Sequence, residues 1–153
     1  MSIQSGDSFP QLALLTDAGV PFDWSTTAGK NVVVYFYPKA DTPGCTTESC
    51  EFRDAVPDFS GIDALILGVS PDQPKAQAKF KEKYSLPFTL LCDPEHELAE
   101  ACGVWVEKNM YGKKSMGLER STFVLGPDGK VVKVFRKVKA AGHAGKVLEA
   151  LKA

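Results

Sequence analysis

Two cysteines, Cys45 and Cys50, stand five positions apart in the sequence. A loop of Thr42, Pro43 and Gly44 precedes the first of them and follows a run of strand-forming residues. The amphipathic pattern after the loop predicts a helix, so Cys45 would lie in its first turn. There, unpaired backbone N–H groups and the positive end of the helix dipole favour an anion. A thiol attacks as its thiolate, and this position therefore predicts thiol redox chemistry.

The spacing of the two cysteines does not suit a disulfide in an intact helix. Five helical residues place the Cα atoms about 8–9 Å apart, whereas a disulfide requires about 4.4–6.8 Å. If Cys45 and Cys50 react, the first turns of the helix must unwind, which couples redox state to local order. The alternatives are that Cys50 is a bystander facing the core, or that Cys45 itself fills a buried gap. A loop of threonine, proline and glycine makes apolar burial the poorer explanation for Cys45.

Composition and charge exclude several functional classes. The 153 residues predict one domain, residues 1–153, and the 44% hydrophobic and 24% charged content is ordinary for a soluble globular protein. A net charge of −1, from 18 basic and 19 acidic residues, gives no attraction to nucleic acid or anionic membranes. No apolar run approaches the roughly 20 residues of a membrane span. The N-terminus lacks the features of a signal peptide, so we expect a cytoplasmic protein.

The remaining cysteines and the histidines carry no recognisable site. Four cysteines in a cytoplasmic chain do not indicate a disulfide framework, and the short Cys-x-x-Cys pairs of zinc sites are absent. We therefore expect no metal. Cys92 and Cys102 are interpreted as inert core residues. His96 and His143 stand alone and are interpreted as surface or capping residues.

Strands and helices are predicted to alternate along most of the chain. The apolar run Val32–Tyr37 lacks polar alternation, which indicates a strand buried on both faces. Apolar positions spaced by three and four after Cys45 predict a helix to about Phe59, which Pro57 should end or kink. The other predicted elements are strands at 64–70 and 87–92, helices at 73–84 and 143–151, and a short helix capped at 93–95 that ends at 102.

Two hairpins complete the expected fold. Segments 11–15 and 20–24 flank an Asp/Gly turn, and segments 120–125 and 130–136 bracket Gly126-Pro127-Asp128-Gly129. No element is predicted for residues 103–106 and 111–117. The order of elements predicts an α/β protein with a mixed central sheet flanked by helices, an arrangement of the thioredoxin-like fold class with an N-terminal β-hairpin.

The stretch around Cys45 resembles a known active-site motif. Pro38-x-x-x-Thr42-x-x-Cys45 is similar to the signature of the peroxiredoxins. The longer stretch 36–50 resembles the branch of the bacterioferritin comigratory protein, or peroxiredoxin Q, in particular. The similarity continues through residues 52–54, 68–70, 93–96, 103–105 and 120–123 and so covers nearly the whole chain.

The resemblance implies a role for each motif residue. Cys45 would be the peroxidatic cysteine, which attacks the terminal peroxide oxygen and becomes a sulfenic acid. Thr42 and the Cys45 backbone N–H would hold the peroxide oxygens, and Pro38 would shield the pocket from water. Arg120, which alone would be interpreted as a surface charge, matches the arginine that stabilises the thiolate and the developing charge. Glu48 matches the acid that orients this arginine.

Cys50 matches the resolving cysteine of relatives that form a disulfide within this helix. Other relatives carry it in the helix corresponding to 73–84, where this chain has no cysteine. The implied function is a thiol-dependent peroxidase that reduces hydrogen peroxide and organic hydroperoxides. Thioredoxin or a glutaredoxin-like dithiol would recycle it, with no cofactor, and the protein would be a monomer. The alternatives are a disulfide oxidoreductase, usually marked by Cys-x-x-Cys, and a non-enzymatic redox sensor or holdase.

Overall fold

The computed structural model describes residues 3–62, 64–110 and 112–152. Its helices are α1 (Pro43–Gly61), α2 (Pro74–Tyr84), α3 (Glu97–Cys102) and α4 (His143–Lys152). Its strands are β1 (Leu15–Thr16), β2 (Asn31–Phe36), β3 (Ala64–Ser70), β4 (Thr89–Cys92), β5 (Trp105–Met110), β6 (Lys113–Leu118), β7 (Ser121–Leu125) and β8 (Val131–Phe135).

A mixed sheet of order β1-β4-β3-β2-β7-β8 forms the centre of the molecule. Strands β2, β3 and β4 run parallel, while β1, β7 and β8 pair antiparallel to their neighbours. The parallel pairs arise because α1 and α2 connect successive strands, and the tight turn before β8 makes the last pair antiparallel. The mixed sheet expected from the order of elements is confirmed.

Strand β2 separates two hydrophobic cores. Alternate side chains of a strand point to opposite faces, so Phe36 packs in one core with Leu98 of α3, and Tyr35 packs in the other. The second core also holds Phe52 of α1 and Phe80 of α2. This arrangement explains the unbroken apolar run of β2, because both faces of the strand are covered. Burying each large apolar side chain contributes about 1.5–3 kcal/mol.

Helix α1 passes Pro57, so of the two effects expected of this proline, ending or kinking the helix, the first does not occur. The helix continues to Gly61 because its last turns place Phe59 in the second core, where this ring is fully buried. Burial of a phenylalanine contributes about 1.5–3 kcal/mol, which is comparable with the cost of about 3 kcal/mol of a proline inside a helix. Tertiary packing thus extends the helix beyond its local breaker.

The N-terminal hairpin is present as a chain reversal rather than as two full strands. Leu15 forms an isolated bridge to Pro21, and the Thr16 N–H donates to the Val20 carbonyl at 2.8 Å. Pro21 has no N–H to donate, but the Phe22 N–H donates to the Leu14 carbonyl at 2.8 Å, so the pairing extends to Phe22. Strand β1 also pairs with β4, and residues 20–23 form no strand of their own before the 3₁₀ helix at Trp24–Thr27.

Strands β5 and β6 form a separate antiparallel hairpin that the sequence pattern does not predict. Most side chains of β6 are exposed, so backbone pairing holds the hairpin without an apolar alternation. Leu118 at its end returns to the first core. The Glu119 N–H then donates to the Val104 carbonyl at 2.7 Å, which fixes the chain immediately before Arg120. No helix within the described ranges is long and apolar enough to span a membrane.

Candidate active site

The junction between β2 and α1 carries the predicted reactive cysteine. Strand β2 ends at Phe36, and the chain passes through a partly exposed loop to Thr42, the N-cap residue of α1. Pro43 occupies the first helical position, where its missing N–H is not needed. Cys45 is therefore the third residue of the helix, as the sequence predicts, and lies beside the unpaired N–H groups of the first turn.

A guanidinium group bridges Cys45 and Glu48. Arg120 Nη2 donates to Cys45 Sγ at 3.2 Å, and Nη1 donates to Glu48 Oε1 at 2.7 Å. The sulfur is more buried than the polar loop suggests, since Cys45 is only 1% exposed and adjoins the second core. Its contact with a cation nevertheless distinguishes it from a cysteine that only fills space. The arrangement stabilises negative charge on the sulfur, which nucleophilic attack requires.

Arg120 is a half-buried residue held from several sides and is not a surface charge. Its side chain is 16% exposed, and its carbonyl accepts from the Val138 N–H at 3.0 Å. Gly44 leaves room for the guanidinium, because a Cβ at this position would stand 3.2 Å from Arg120 Nη2. The absence of a side chain at Gly44 thus permits the close approach between arginine and sulfur.

Glu48 is the group in this cluster that titrates near neutral pH. Burial raises its pKa to about 7, although the charge and hydrogen bond of Arg120 act in the opposite direction. Burial also opposes the charge of Arg120, but the interactions with Glu48 and Cys45 act in the other direction and leave its pKa raised. Glu48 Oε2 lacks a hydrogen-bond partner among the described residues. The arginine therefore stays charged while the carboxyl exchanges a proton.

Among the described residues, no hydrogen bond joins the other predicted site residues to the Cys45 sulfur. Thr42 donates its hydroxyl to the Lys39 carbonyl at 2.9 Å. Pro38 is half-buried directly beyond the end of β2. Cys50 lies on α1 as a half-buried free thiol. The structure thus joins Cys45, Glu48 and Arg120 by direct contacts and places these other residues on the flanking loop and helix.

Cys92 and Cys102 behave as the sequence predicts. Both thiols are free and buried, and burial raises the pKa of each to about 12. They remain protonated at neutral pH and are inert packing groups. Within the described ranges, no group of three or more histidine, cysteine, aspartate or glutamate side chains could hold a metal ion.

His143 is buried, so its interpretation as a surface or capping residue is wrong. It begins α4 but is only 3% exposed, and its Nε2 lies 2.7 Å from Thr122 Oγ1. The rings of Phe52 and Phe135 meet it edge-on at 6.0 and 5.4 Å between centroids. A lone histidine in the sequence carries no pattern that reveals this tertiary contact. His96, by contrast, occupies the N-cap position of α3 and stacks on Trp105.

Protonation of His143 is expected to destabilise the fold in acid. Burial lowers its pKa from 6.5 to about 4, so the unfolded chain binds more protons between these pH values. The free energy of unfolding should thus rise by about 3 kcal/mol from pH 4 to 6.5 on account of this residue. Urea unfolding of wild type and His143→Gln across this range measures the effect. The His143→Gln variant should lack this rise, while both proteins keep the fall in stability with pH that the raised pKa of Glu48 causes. Parallel pH profiles of the two proteins would contradict the prediction.

A second buried hydrogen bond lies beneath α1. Tyr35 of β2 and Ser49 of α1 share a hydrogen bond of 2.8 Å between their hydroxyl oxygens. Burial raises the pKa of Tyr35 well above its ordinary value, so the phenol stays neutral. The bond fixes the helix to the sheet between the two cysteines, and no sequence pattern singled out either residue.

The chain is similar to known proteins over most of its length. The model of the AhpC/TSA family matches residues 5–134. Peroxiredoxin Bcp of Bacillus subtilis is 50% identical over 152 residues, which is 99% of this chain and 97% of that protein. Peroxiredoxin Bcp of Escherichia coli K12 is 39% identical over 150 residues, 98% of this chain and 96% of that protein.

Solved structures also resemble the chain along its full length. A structure of the Xanthomonas campestris bacterioferritin comigratory protein, studied for alkyl peroxide reduction, has a TM-score of 0.91 and 44% identity, covering 97% of this chain and 98% of that one. A cysteine-to-serine variant of Xanthomonas campestris peroxiredoxin Q has a TM-score of 0.91 and 45% identity, covering 98% of this chain and 96% of that one.

Proposed function

Because the chain belongs to the AhpC/TSA family of peroxiredoxins, we propose that Cys45 is its peroxidatic cysteine and Cys50 its resolving cysteine. The chain is a thiol peroxidase of thioredoxin-like fold that acts on a peroxide and draws electrons from a thiol reductant. The observation that supports the assignment of Cys45 is the contact of Arg120 Nη2 with its sulfur at 3.2 Å.

The first step is attack by the Cys45 thiolate on the terminal peroxide oxygen. A sulfur–oxygen bond forms and the oxygen–oxygen bond breaks, so the sulfur loses two electrons to the peroxide. The departing oxygen takes a proton and leaves as water or an alcohol, and Cys45 becomes a sulfenic acid. Arg120 stabilises the negative charge that moves from sulfur to oxygen during this transfer.

The surrounding residues would orient the peroxide. Thr42 and the Cys45 backbone N–H hold the peroxide oxygens, and Pro38 limits access of water. Supporting this role, Thr42 is the N-cap residue of α1 and Cys45 lies in its first turn, which no side chain caps, so unpaired N–H groups are available there. Glu48 fixes the guanidinium by its 2.7 Å contact, so that the second nitrogen of the fork is directed at the sulfur.

The second step joins the two cysteines. The Cys50 sulfur attacks the Cys45 sulfenic acid, the sulfur–oxygen bond breaks, and hydroxide leaves with a proton as water. In the intact helix the Cα atoms are about 8–9 Å apart, so α1 must unwind over its first turns. A dithiol reductant, thioredoxin or a glutaredoxin-like protein, then reduces the disulfide by thiol–disulfide exchange.

The proposed function also includes the peroxides that are reduced, the cellular compartment and the oligomeric state. By analogy with its structural relative studied for alkyl peroxide reduction, the chain reduces organic hydroperoxides as well as hydrogen peroxide. We place it in the cytoplasm, where its four free thiols stay reduced. Few large apolar side chains are exposed within the described ranges, which suits a monomer: Leu15, Val20, Met116 and Val132.

The Cys50→Ser variant tests the resolving step. We expect the first oxidation by peroxide to keep its rate, because Cys50 does not touch the Cys45–Arg120 cluster. Turnover driven by thioredoxin should fall by about tenfold, since the sulfenic acid has no neighbouring thiol. Stopped-flow oxidation and a coupled thioredoxin assay measure the two rates, with Cys92→Ala as the control. Mass spectrometry of oxidised wild type should show the Cys45–Cys50 link, and a link to Cys92 or Cys102 would contradict the assignment.

A further inference from the structure

Asp41, in the loop before α1, is bound by the C-terminal end of α2. Its backbone is left-handed, with φ of 61°, a conformation that aspartate tolerates better than most residues. Its carboxylate accepts from Lys83 Nζ at 3.0 and 3.2 Å and from the Tyr84 hydroxyl at 2.8 Å. These bonds lower the pKa of Asp41 and keep it ionised.

The neighbouring residue of the loop is bound at the other end of α2. The Ala40 N–H donates to Asp72 Oδ2 at 2.7 Å, and Asp72 lies two residues before the helix. The same oxygen accepts from the hydroxyl of the fully buried Ser70 at 2.7 Å. Asp72 is thereby fixed to the end of β3, and so is the loop backbone that it holds.

A third contact reaches α1 on the far side of the two cysteines. Arg53 Nη1 donates to the Tyr84 carbonyl at 2.8 Å. Apart from the buried bond from the Tyr37 hydroxyl to Gln77, the hydrogen bonds of this region with α2 and with Asp72 fall at Ala40, Asp41 and Arg53. We call the contacts at these three residues the α2 anchor contacts. Within the described ranges, no hydrogen bond joins α2 to residues 42–52, the stretch that contains Cys45 and Cys50.

Residues 42–52 are bonded to other elements instead. Arg120 binds Cys45 and Glu48, Tyr35 binds Ser49, and Glu51 Oε1 accepts from the backbone N–H that precedes α4 at 2.7 Å. Rearrangement of this stretch must break these bonds. The α2 anchor contacts hold both ends of the stretch in the positions they take in the folded helix, so a rearrangement that moves either end must break the contact there as well.

We propose that α2 fixes both ends of the rearranging stretch, with Asp41, Lys83 and Tyr84 as positioning residues for the peroxidase reaction. The proposal rests on the proposed Cys45–Cys50 disulfide. While the α2 anchor contacts hold, α1 keeps the folded first turns that bind peroxide. Releasing them favours the unwound conformation in which the two sulfurs meet. The same contacts therefore support oxidation of Cys45 and oppose its resolution by Cys50.

A double variant, Lys83→Gln/Tyr84→Phe, tests the proposal. It leaves Asp41 without its two side-chain partners but retains the backbone contact to Arg53. We expect the rate constant for Cys45–Cys50 disulfide formation to rise about two- to fivefold, the range typical of exposed pairs. The rate constant for sulfenic acid formation should stay equal or fall, and over-oxidation to the sulfinic acid at a fixed peroxide concentration should decrease. Rapid-quench mass spectrometry follows all these species.

The matched control is Lys79→Gln, which makes the same charge change on an exposed residue of α2. Among the described residues, Lys79 has no hydrogen bond or ion pair. The rate constants of the Lys79→Gln variant for sulfenic acid formation and for disulfide formation should therefore equal those of wild type. Asp41→Asn, which can still accept from Tyr84, should lie between wild type and the double variant. High salt should move wild type towards the double variant, since the Lys83–Asp41 pair is exposed.

A positioning role predicts faster disulfide formation without faster sulfenic acid formation. A general loss of structure would instead lower both rate constants. Equal disulfide formation in the double variant and Lys79→Gln overturns the proposal while leaving the proposed function intact. A parallel fall of both rate constants overturns it as well. Wild type that forms no Cys45–Cys50 link overturns the proposed function and this proposal with it.

Discussion

Replacing Cys45 by serine will remove peroxidase activity, with the rate constant for peroxide reduction falling on the order of 10³-fold or more. A serine hydroxyl is scarcely ionised at neutral pH and cannot take up oxygen as a stable sulfenic acid does. The contact of Arg120 with the residue at this position does not compensate, because the guanidinium stabilises charge and does not supply a nucleophile. Stopped-flow reduction of hydrogen peroxide and of an alkyl hydroperoxide measures the loss.

Two controls show whether the loss of activity is due to the missing thiolate at position 45. Cys92→Ala should keep its activity, since the Cys92 thiol is buried with a pKa raised to about 12. The fold of Cys45→Ser should remain intact, because serine is of similar size and can still accept from Arg120. Retention of more than a tenth of the wild-type rate in Cys45→Ser would refute the assignment of the peroxidatic cysteine.

Removing the guanidinium has the second largest effect. Arg120→Met should lower the rate constant for peroxide by about 10²- to 10³-fold, because no other described cation contacts Cys45 Sγ. Stability should also fall, by about 3 kcal/mol above pH 7, since Glu48 loses its partner in a buried position. The loss should shrink below pH 7, because protonated Glu48 needs no counter-charge. Stopped-flow assays and urea unfolding at pH 6 and 8 measure both effects.

A double variant separates the two consequences. Arg120→Met/Glu48→Gln replaces the unpaired carboxyl with a neutral amide and should recover most of the stability at pH 8. Its activity should remain as low as that of Arg120→Met, since the charge beside the sulfur is still absent. Arg120→Lys should retain part of the activity, because it keeps a positive charge. Its single ammonium group should not contact Cys45 and Glu48 at the same time, as the two nitrogens of the guanidinium do. An Arg120→Met protein within tenfold of wild-type activity would contradict the role of this residue.

Elements with a strong local pattern were predictable from the sequence. Strand β2 is buried on both faces, so its apolar run is unbroken, and α2 (Pro74–Tyr84) begins one residue after the predicted start at 73 and ends at the predicted residue 84. The turn between β7 and β8 fixes its conformation through Gly129, which has φ of 79°. In these cases local propensity and tertiary packing favour the same structure.

Elsewhere tertiary contacts decide the outcome. Helix α1 passes Pro57 because Phe59 is buried beyond it, and the β5–β6 hairpin carries no apolar alternation because it lies apart from the main sheet. In the site, the position of Cys45 followed from the loop and helix pattern, whereas the roles of Arg120 and Glu48 depended on family resemblance. Arg120 lies 75 positions from Cys45, and no periodicity extends over such a distance.

Burial of Glu48 also links oxidation of the enzyme to proton release. In the folded helix its carboxyl is fully buried and has a pKa of about 7, against 4.5 in water. Formation of the proposed disulfide unwinds this part of α1 and returns the carboxyl to solvent, where it loses its proton above pH 4.5. Between these pH values the oxidised protein therefore binds fewer protons than the reduced one. Its reduction potential should consequently decrease more steeply with pH in this range than that of a simple dithiol, so that acid favours the reduced, peroxide-ready form.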